Sequence, residues 1–457
     1  MWIRRAVFTA LGLALATMAF AQQAPLVPPA APMTLVPAAS QESAGEAFAV
    51  HGQGSFVEQL TSPFHAPYSG PNSLSVRHGA ETFDMTLFLG ARLWSGAEAW
   101  VNPEIDQGYG LDGTLGVAGF PSGAAYKVGR SHAYWRVPRL FVRQTVDLGG
   151  ERQPLEAVAN QLGGSESADR WVFTVGKFAV TDIFDSNQYA HDPRKDFMNW
   201  TAVDAGTFDY AADAWGFTVG AAAEWYRGAW ALRAGVFDLS DVPNSEALEH
   251  GLHEFQWVGE LERRHTLQGM PGKVLVTLYD TRGRMALLNE AVSLAQAAGE
   301  PITETLVAVR QYRDRTGASL ALEQQLSANL GMFARAGKAS GNVEAYEFTD
   351  VDRSISAGLS LNGKRWSRAD DSVGVAAIVN GISAERERYL NAGGLGILVG
   401  DGKLPHPGSE QILEGYYELG VESWAQLTLD YQWVKNPAYN TDRGPVSIVA
   451  LRLHAQF

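Results

Sequence analysis

Residues 425–433 read AQLTLDYQW, and residues 446–457, at the carboxyl end of the chain, read VSIVALRLHAQF. In both segments apolar residues alternate with more polar ones, which is the period of a β-strand with one apolar and one polar face. The polar faces carry Gln426, Thr428, Asp430 and Gln432 in the first segment and Arg452, His454 and Gln456 in the second. A loop that contains the turn signal Asn436-Pro437 joins the segments. The two segments therefore predict a pair of adjacent strands.

The apolar face of each such strand needs a cover. A soluble sheet would place that face on a packed core, but here almost every predicted strand carries its own apolar stripe and no element is suited to cover them. We infer that lipid is the cover. Lipid offers no partner to the backbone groups of an open sheet edge, so the sheet must close on itself. The predicted fold class is all-β, a transmembrane antiparallel β-barrel.

The remaining strands follow the same pattern and bring the predicted total to about 16, an even number as in single-chain outer-membrane barrels. They cover residues 51–60, 83–94, 97–104, 139–148, 171–180, 215–226, 229–239, 253–263, 273–279, 319–326, 329–337, 354–362, 373–381 and 411–419, ahead of the final pair. Short turns alternate with long loops, the pattern of periplasmic turns and outer loops. Segment 149–170 departs from this alternation, because it is long where a short turn is expected. Helical spacing within 285–298 predicts a short helix that fills one long loop.

Composition limits the function classes. The 457 residues include 48 Gly, 13 Trp, 15 Tyr and 20 Phe, and 46% are hydrophobic, a composition that suits strands, turns and aromatic girdles at a membrane interface. The formal net charge of -14 provides no basic face for nucleic acid. The absence of Cys excludes a disulfide framework and thiolate metal sites. The sequence predicts no cofactor and no metal site.

The amino-terminal residues predict export. Two arginines precede an apolar run over residues 6–20 that ends in a small-x-small cleavage site, so residues 1–21 predict a signal peptide. An uncleaved anchor helix is the alternative, although the run is shorter than a usual membrane span. Residues 22–47 are rich in Ala and Pro and predict a flexible leader. Residues 48–457 are assigned to the barrel, and no segment among them approaches the ~20 uninterrupted apolar residues of a transmembrane helix.

A long loop between the fifth and sixth predicted strands mixes carboxylates, cations, amides and aromatic rings over residues 181–200. One interpretation is an ordinary solvated loop. The other is a loop that folds into the lumen and narrows it. Hydrogen-bonding groups beside aromatic rings suit a sugar, because its hydroxyls pair with Asp, Asn and Arg while its C–H face lies on a ring. This loop is therefore the first candidate for a functional element.

Several motifs resemble those of the carbohydrate-selective porin family. They are FVRQ at 141–144, GKFAVTDIFD at 176–185, FMNW at 197–200, DYQ at 430–432, NP at 436–437 and DRGPV at 442–446. The resemblance extends from about residue 51 to residue 457. It implies an outer-membrane barrel of about 16 strands, with a constriction of charged and polar residues through which sugars diffuse. It also implies that the barrel-assembly machinery reads the terminal Phe457, whereas periodicity alone predicts only a polar lumen.

The candidates for the sugar path lie on the predicted inner faces and in the long loop. On the fourth strand, Arg139 and Arg143 share the polar face, where a wet lumen accommodates them and a dry core would not. The other candidates are Glu98, Trp100, Asn102 and Glu104, predicted to lie across the lumen from the arginines, and Asp185, Asn187, Asp192, Arg194, Lys195 and Trp200 in the loop. Opposed charges would set a transverse field that orients hydroxyls. The two tryptophans are candidate stacking surfaces, or else girdle and packing residues.

A second set of charged residues falls on the inferred inner faces and is predicted to be generic lumen lining. It comprises Arg233, Glu260, Glu323, Arg335, Asp430 and Arg452. Two other signals predict no site: the dinucleotide-like GYGLDG at 108–113 has no helix behind it, and His191 beside Asp192 lacks further metal-ligand spacing.

The sequence thus predicts a passive sugar channel in the outer membrane of a Gram-negative bacterium, without catalytic groups, since a solute must be held weakly enough to leave. The predicted partners are permeating sugars, outer-membrane lipid and the assembly machinery, and the choice between a monomer and a homo-oligomer stays open. The alternatives are a general or anion-preferring porin, an outer-membrane barrel enzyme, and a secreted soluble β-rich lectin.

Overall fold

The computed structural model describes residues 45–125 and 129–457. Within them, sixteen strands form a closed antiparallel barrel in which each strand pairs with its neighbours in sequence and the first pairs with the last. The strands are β1 Phe48–Thr61, β2 Gly79–Trp94, β3 Ala97–Gly108, β4 Arg130–Leu155, β5 Gly164–Phe178, β6 Thr218–Arg227, β7 Trp230–Asp238, β8 Phe255–Leu267, β9 Met270–Met285, β10 Gln311–Ser327, β11 Leu330–Ala339, β12 Arg353–Asn362, β13 Ser372–Gly381, β14 Glu410–Glu422, β15 Ala425–Lys435 and β16 Val446–Gln456. The predicted barrel is confirmed. The predicted signal peptide and nearly all of the predicted leader lie outside the described residues.

Side chains alternate between the two faces of the wall, as the last two strands illustrate. On β15, Leu429 and Tyr431 point outward, with 58% exposure for Leu429, whereas Asp430 between them points inward and is 2% exposed. On β16, Val449 is exposed and Arg452 is buried. The outward face is apolar because lipid covers it, and the polar residues gather on the inward face.

Long loops lie at one end of the barrel and short connections at the other. Two-residue turns at 95–96, 228–229 and 423–424 join consecutive strands, whereas residues 179–217 and 382–409 form long loops at the opposite end. The predicted alternation is confirmed. Short turns of such barrels face the periplasm, so the long loops face outward from the cell.

The predicted long connection over 149–170 is wrong. β4 continues to Leu155 and β5 begins at Gly164, so only residues 156–163 connect them. Gly149 and Gly150 suggest a turn in the sequence, but in the structure they have φ of 111° and 89° and lie where the register between the two strands shifts. They form an irregularity of the bulge type inside one long hairpin, because glycine adopts positive φ without strain.

The described α-helices lie in the long loops. They are α1 Trp200–Val203, α2 Leu288–Ala298, α3 Ile302–Ala308 and α4 Ala384–Asn391. α2 confirms the helix predicted within 285–298. The sequence analysis missed α4, which begins where the Ser383 hydroxyl accepts a hydrogen bond from the N–H of Arg386. None of the described helices is long and apolar enough to span a membrane.

The connection between β5 and β6, residues 179–217, folds into the barrel, and we call it the inner loop. It contacts inward-facing residues on several sides of the wall: Asp84 of β2, Glu260 of β8, Arg335 of β11 and Glu414 of β14. The predicted folding of this loop into the lumen is confirmed. The lumen is therefore shaped by two layers, the strand wall and the inner loop.

Candidate functional site: the barrel lumen

Buried carboxylates on the wall hold the inner loop by its backbone. Glu260 accepts a hydrogen bond from the N–H of Asp185 at 2.7 Å. Glu414 accepts hydrogen bonds from the N–H groups of Met198 and Asn199 at 2.5 and 3.1 Å. Backbone N–H groups in an irregular buried segment need such partners, so the wall carboxylates determine where the loop lies.

Arg335 of β11 is the main cationic anchor of the inner loop. Its guanidinium donates to the carbonyl oxygens of Ala202 at 2.7 Å and Ala190 at 2.8 Å. It also forms an ion pair of 3.2 Å with Asp185, and both charged side chains are almost completely buried. The alternation along β11 predicts Arg335 only as generic lining of the lumen. In the structure one side chain ties three points of the loop to one strand.

A second anchor joins the inner loop to the connection between β11 and β12. The Asp209 carboxylate accepts hydrogen bonds from the four consecutive N–H groups of residues 346–349. It also forms an ion pair of 3.0 Å with Arg315 of β10. Successive N–H groups that converge on one anion form a preorganised concave site. Sequence reasoning missed Asp209, because nothing local to it indicates a partner more than a hundred residues away.

The candidates on β3 and β4 lie on the same wall. Glu98 is the register partner of Arg143, and Asn102 is the register partner of Arg139. The Glu98–Arg143 ion pair spans 2.8 Å. The prediction that these groups face each other across the lumen is wrong, because β3 and β4 are consecutive antiparallel strands and their inward-facing residues are direct neighbours.

The other charged candidates on these strands also have partners. Arg139 forms an ion pair of 2.6 Å with Asp182 at the start of the inner loop. Glu104 pairs with Arg136, a residue absent from the predicted set, at 2.5 Å. Burial alone would raise the pKa of Asp182, but the charge of Arg139 and its hydrogen bonds hold that pKa below its ordinary value. The β3–β4 wall is therefore a ladder of ion pairs, in which Arg136 also contacts Asp106 at 2.5 Å.

The candidates of the inner loop divide into buried and accessible groups. Asp185 is buried, and Asn187 closes a turn by accepting a hydrogen bond from the N–H of Tyr189. Arg194 is half-buried and ion-paired with a β2 carboxylate at 3.0 Å, whereas Lys195 beside it is exposed. Asp192 is also half-buried and accepts a hydrogen bond from the N–H of Arg194 at 2.9 Å. The accessible charges among these candidates are thus Asp192, Arg194 and Lys195, and we call residues 192–195 the accessible tip of the loop.

Both candidate stacking tryptophans are covered. Trp100 is 1% exposed, and its indole lies over Gly90, where an added side chain would collide with the ring. Trp200 is 2% exposed and is stacked on Phe120, with ring centroids 5.3 Å apart. A sugar could reach either ring only if neighbouring groups moved. Their stacking role stays a prediction.

Open space lies in the lumen near the short-turn end. Two cavities of about 320 and 620 Å³ share Tyr226 in their lining, and together we call them the turn-side vestibule. Of the predicted path residues, Glu98 and Arg143 line it. Charged residues that were not predicted also line it: Glu166, Arg170, Glu224, Glu262, Arg264 and Lys273. Glu262 lies two positions after Glu260 on β8, so the alternation of period two places it on the inner face as well.

The segment 156–163 covers one side of the vestibule. Arg143 donates a hydrogen bond to the carbonyl oxygen of Asn160 at 2.7 Å. Glu98 accepts one from the N–H of Leu162 at 3.1 Å. The Glu98–Arg143 pair thus also holds the tip of the β4–β5 hairpin against the wall.

Arg233 organises the opposite part of the vestibule wall. Its guanidinium forms ion pairs with Glu260 at 2.7 Å, Glu262 at 2.9 Å and Glu224 at 3.3 Å. Lys273 lies 3.9 Å from Glu262. A polar solute in the vestibule therefore meets hydrogen-bond donors and acceptors side by side.

Among the remaining predicted lining residues, Arg452 also holds the inner loop, since it donates to the carbonyl oxygens of Pro193 and Asp196 at 2.7 and 2.9 Å.

Within the loop, burial raises the pKa of Asp204 to about 6. The charge of His191 opposes this rise, and the charge of Asp185 adds to it. In residues 45–125 and 129–457, no cluster of three or more His, Asp or Glu side chains is arranged to hold a metal ion.

Comparison with known proteins agrees with this architecture. Residues 73–457 match the model of the carbohydrate-selective porin, OprB family. The barrel is similar to the high-pH structure of Pseudomonas putida OprB, with a TM-score of 0.66, 15% identity, and coverage of 90% of this chain and 94% of that chain. It is also similar to the outer membrane channel DcaP of Acinetobacter baumannii, with a TM-score of 0.51, 10% identity, and coverage of 92% and 100%. At these identities the likeness shows the fold. No protein of curated function matches the chain.

Proposed function

Because the chain belongs to the carbohydrate-selective porin (OprB) family, we propose that it is a passive outer-membrane channel for mono- and small oligosaccharides. Sugars diffuse down their gradients through the lumen, and the channel performs no chemical step. Family membership is the observation that carries the proposal. The chemistry of the turn-side vestibule supports it.

The paired charges of the lumen suit sugar hydroxyls. A hydroxyl both donates and accepts hydrogen bonds, so a guanidinium and a carboxylate side by side can bind two neighbouring hydroxyls of one ring. The buried Glu98 beside the half-buried Arg143 offers this arrangement in the vestibule. A channel needs contacts that are weak and repeated along the path, so that each solute also leaves.

We further propose that the inner loop forms the constriction. Its accessible tip presents Asp192, Arg194 and Lys195, and its first turn presents Asp182 in the pair with Arg139. Buried members of the predicted set shape the path indirectly: Glu104, Asp185 and Asn187 hold the wall and the loop through their hydrogen bonds, and Asn102, Trp100 and Trp200 are packed beneath the surface. A sugar would contact the accessible residues Asp182, Asp192, Arg194 and Lys195 directly, and it would depend on the buried residues to hold them in place.

Planar-bilayer recording tests the proposal. Purified barrel is inserted at low density, and single-channel current is titrated with glucose, maltose and a zwitterionic amino acid of similar size. The proposal expects a saturable decrease of ion current with the sugars and little decrease with the amino acid. Equal effects of all three solutes would instead indicate a general porin, and the absence of any channel would remove the proposal altogether.

Arg143→Ala is the variant that probes the site. Its loss removes a charge-assisted donor from the vestibule and releases the carbonyl of Asn160, so we expect sugar to block the current about tenfold more weakly and the conductance to rise. Arg263→Ala is the matched control, because Arg263 is exposed on the outward face and lies over the Trp230 ring. Unchanged sugar block in Arg143→Ala would remove this residue from the path.

We also propose that residues 1–21 are removed on export and that the assembly machinery reads the last strand. The Phe457 N–H donates to the carbonyl oxygen of Gly52 at 2.9 Å, and the Gly52 N–H donates in return at 3.0 Å, which closes the barrel at the β1–β16 seam. The intact mass of the purified protein should correspond to a chain that begins at Gln22. A mass that includes residues 1–21 would argue for a retained anchor.

A further inference from the structure

The outward face of the barrel carries two adjacent cations near the long-loop end. Lys338 of β11 and Arg353 of β12 are direct cross-strand partners, and both side chains are exposed. Neither forms an ion pair within 4.0 Å with a carboxylate in the described part of the chain. Like charges directly opposite each other on one face destabilise a sheet. An anion from outside the chain would therefore stabilise this pair.

The strand register places the pair at the outer boundary of the apolar band. The pair belongs to a row of register partners that runs across β9–β13: Leu278, Ala318, Lys338, Arg353 and Gly381. The next row toward the middle of the barrel is wholly apolar: Val276, Leu320, Ala336, Ile355 and Val379. Toward the loops the outward residues become polar, with the exposed ion pair Arg282–Asp314. The cations thus lie at the level where lipid headgroups meet acyl chains.

An apolar groove lies below the two cations. Its volume is about 550 Å³, and its lining includes most residues of the two rows together with Ser409 of the loop before β14. It is a groove because Ala336 is small and lies between Leu320 and Ile355, and because Ala318, beside Lys338 in the upper row, is small as well. Arg353 extends over Gly381, where an added Cβ would approach its Nε to 2.5 Å. Its side chain therefore lies along the surface at the rim of the groove.

We propose that this surface is a binding site for a phosphorylated lipid of the outer leaflet, with a phosphate between Lys338 and Arg353 and an acyl chain in the groove. A phosphate relieves the repulsion between the cations, and a guanidinium can bind two of its oxygens at once while the ammonium acts as a point charge. Basic residues at the edge of a membrane span attract anionic headgroups. The long-loop end faces the outer leaflet, which in Gram-negative bacteria is built on lipid A, a phosphorylated lipid. The proposal depends on the barrel lying in that membrane and not on which solute passes through it.

The test uses the full barrel in detergent, stripped of lipid and titrated with lipid A while native mass spectrometry counts bound lipid. We expect one lipid A to be retained in preference to a dephosphorylated lipid A with the same acyl chains. The double variant Lys338→Gln, Arg353→Gln should bind lipid A about 30-fold more weakly, from two cation–headgroup contacts. Arg263→Gln removes an outward cation near the short-turn end and should bind as the wild type does. Heat-modifiable migration on a gel confirms that each variant is folded.

Three outcomes would overturn the proposal. Equal retention of phosphorylated and dephosphorylated lipid would show that the groove selects acyl chains only. Unchanged binding in the folded double variant would place the headgroup elsewhere. A stable oligomer that excludes lipid A, and that the same double variant disrupts, would show that a second copy of the chain covers this face.

Discussion

Replacement of Arg335 by Met should release the inner loop and leave the barrel closed. Met keeps an unbranched apolar stem and removes the donors that reach Ala190, Ala202 and Asp185. It also leaves the Asp185 carboxylate buried without its cation. Loss of one partner of a buried ion pair costs about 3–5 kcal/mol, which would raise the undocked fraction of the loop by about two to four orders of magnitude. The sixteen-strand wall keeps its backbone hydrogen bonds, so the barrel itself should remain folded.

Single-channel recording detects the released loop. We expect Arg335→Met to show a larger and noisier conductance than the wild type, since a mobile segment replaces a fixed one in the lumen. The double variant Arg335→Met, Asp185→Asn should be closer to the wild type than the single variant, because it removes the orphaned charge as well. A quiet wild-type conductance in Arg335→Met, with normal heat-modifiable migration, would refute the role of Arg335 as an anchor.

Three further predictions follow from buried contacts. First, burial raises the pKa of Asp204 from an ordinary value of 3.8 to about 6 when the loop is docked, which favours the neutral carboxyl. Docking is therefore fully stable at low pH and loses about 1 kcal/mol of free energy between pH 5 and 7. Channel noise should rise over that interval in the wild type and not in Asp204→Asn. Second, Asp209→Ala should free residues 346–349, and a Glu-specific protease should then cut at Glu344 or Glu347; resistance equal to the wild type would contradict the anchor. Third, Gly90→Ala brings a methyl group within 2.5 Å of the Trp100 ring, whereas Gly415→Ala meets nothing closer than 3.8 Å; overpacking of about 1–3 kcal/mol should lower the unfolding temperature of the first variant only.

The strand wall could be predicted from the sequence because its rule is local. Each strand needs only an alternation of period two, and lipid selects the apolar face without regard to the rest of the chain. This is why Arg139 and Arg143 were assigned inward correctly. The error at 149–170 has a local cause as well, since two successive glycines suit a turn and a bulge equally and only the partner strand decides between them.

The contacts of the inner loop could not be predicted in the same way. Alternation places Arg335 on the inner face, but its partner Asp185 is 150 positions away in the chain and no periodic pattern links them. Asp209 has the same difficulty with residues 346–349. The mistaken placement of Glu98 across the lumen from Arg143 has another origin. The alternation along a strand tells which face of the wall a residue lies on, but its position around the barrel follows from the order of the strands.

The ladder of pairs along β3 and β4 determines how far its electric field extends. Each arginine of the ladder lies 2.5–2.8 Å from a carboxylate, and the field of two opposite charges so close together weakens with distance much faster than the field of a single charge, which extends over the ~10 Å Debye length at 0.1 M ionic strength. A solute near the axis of the channel therefore experiences little of this field, and dissolved salt has little left to screen. Reversal potentials in KCl gradients should then depend only weakly on the mean salt concentration, as suits a route for uncharged molecules.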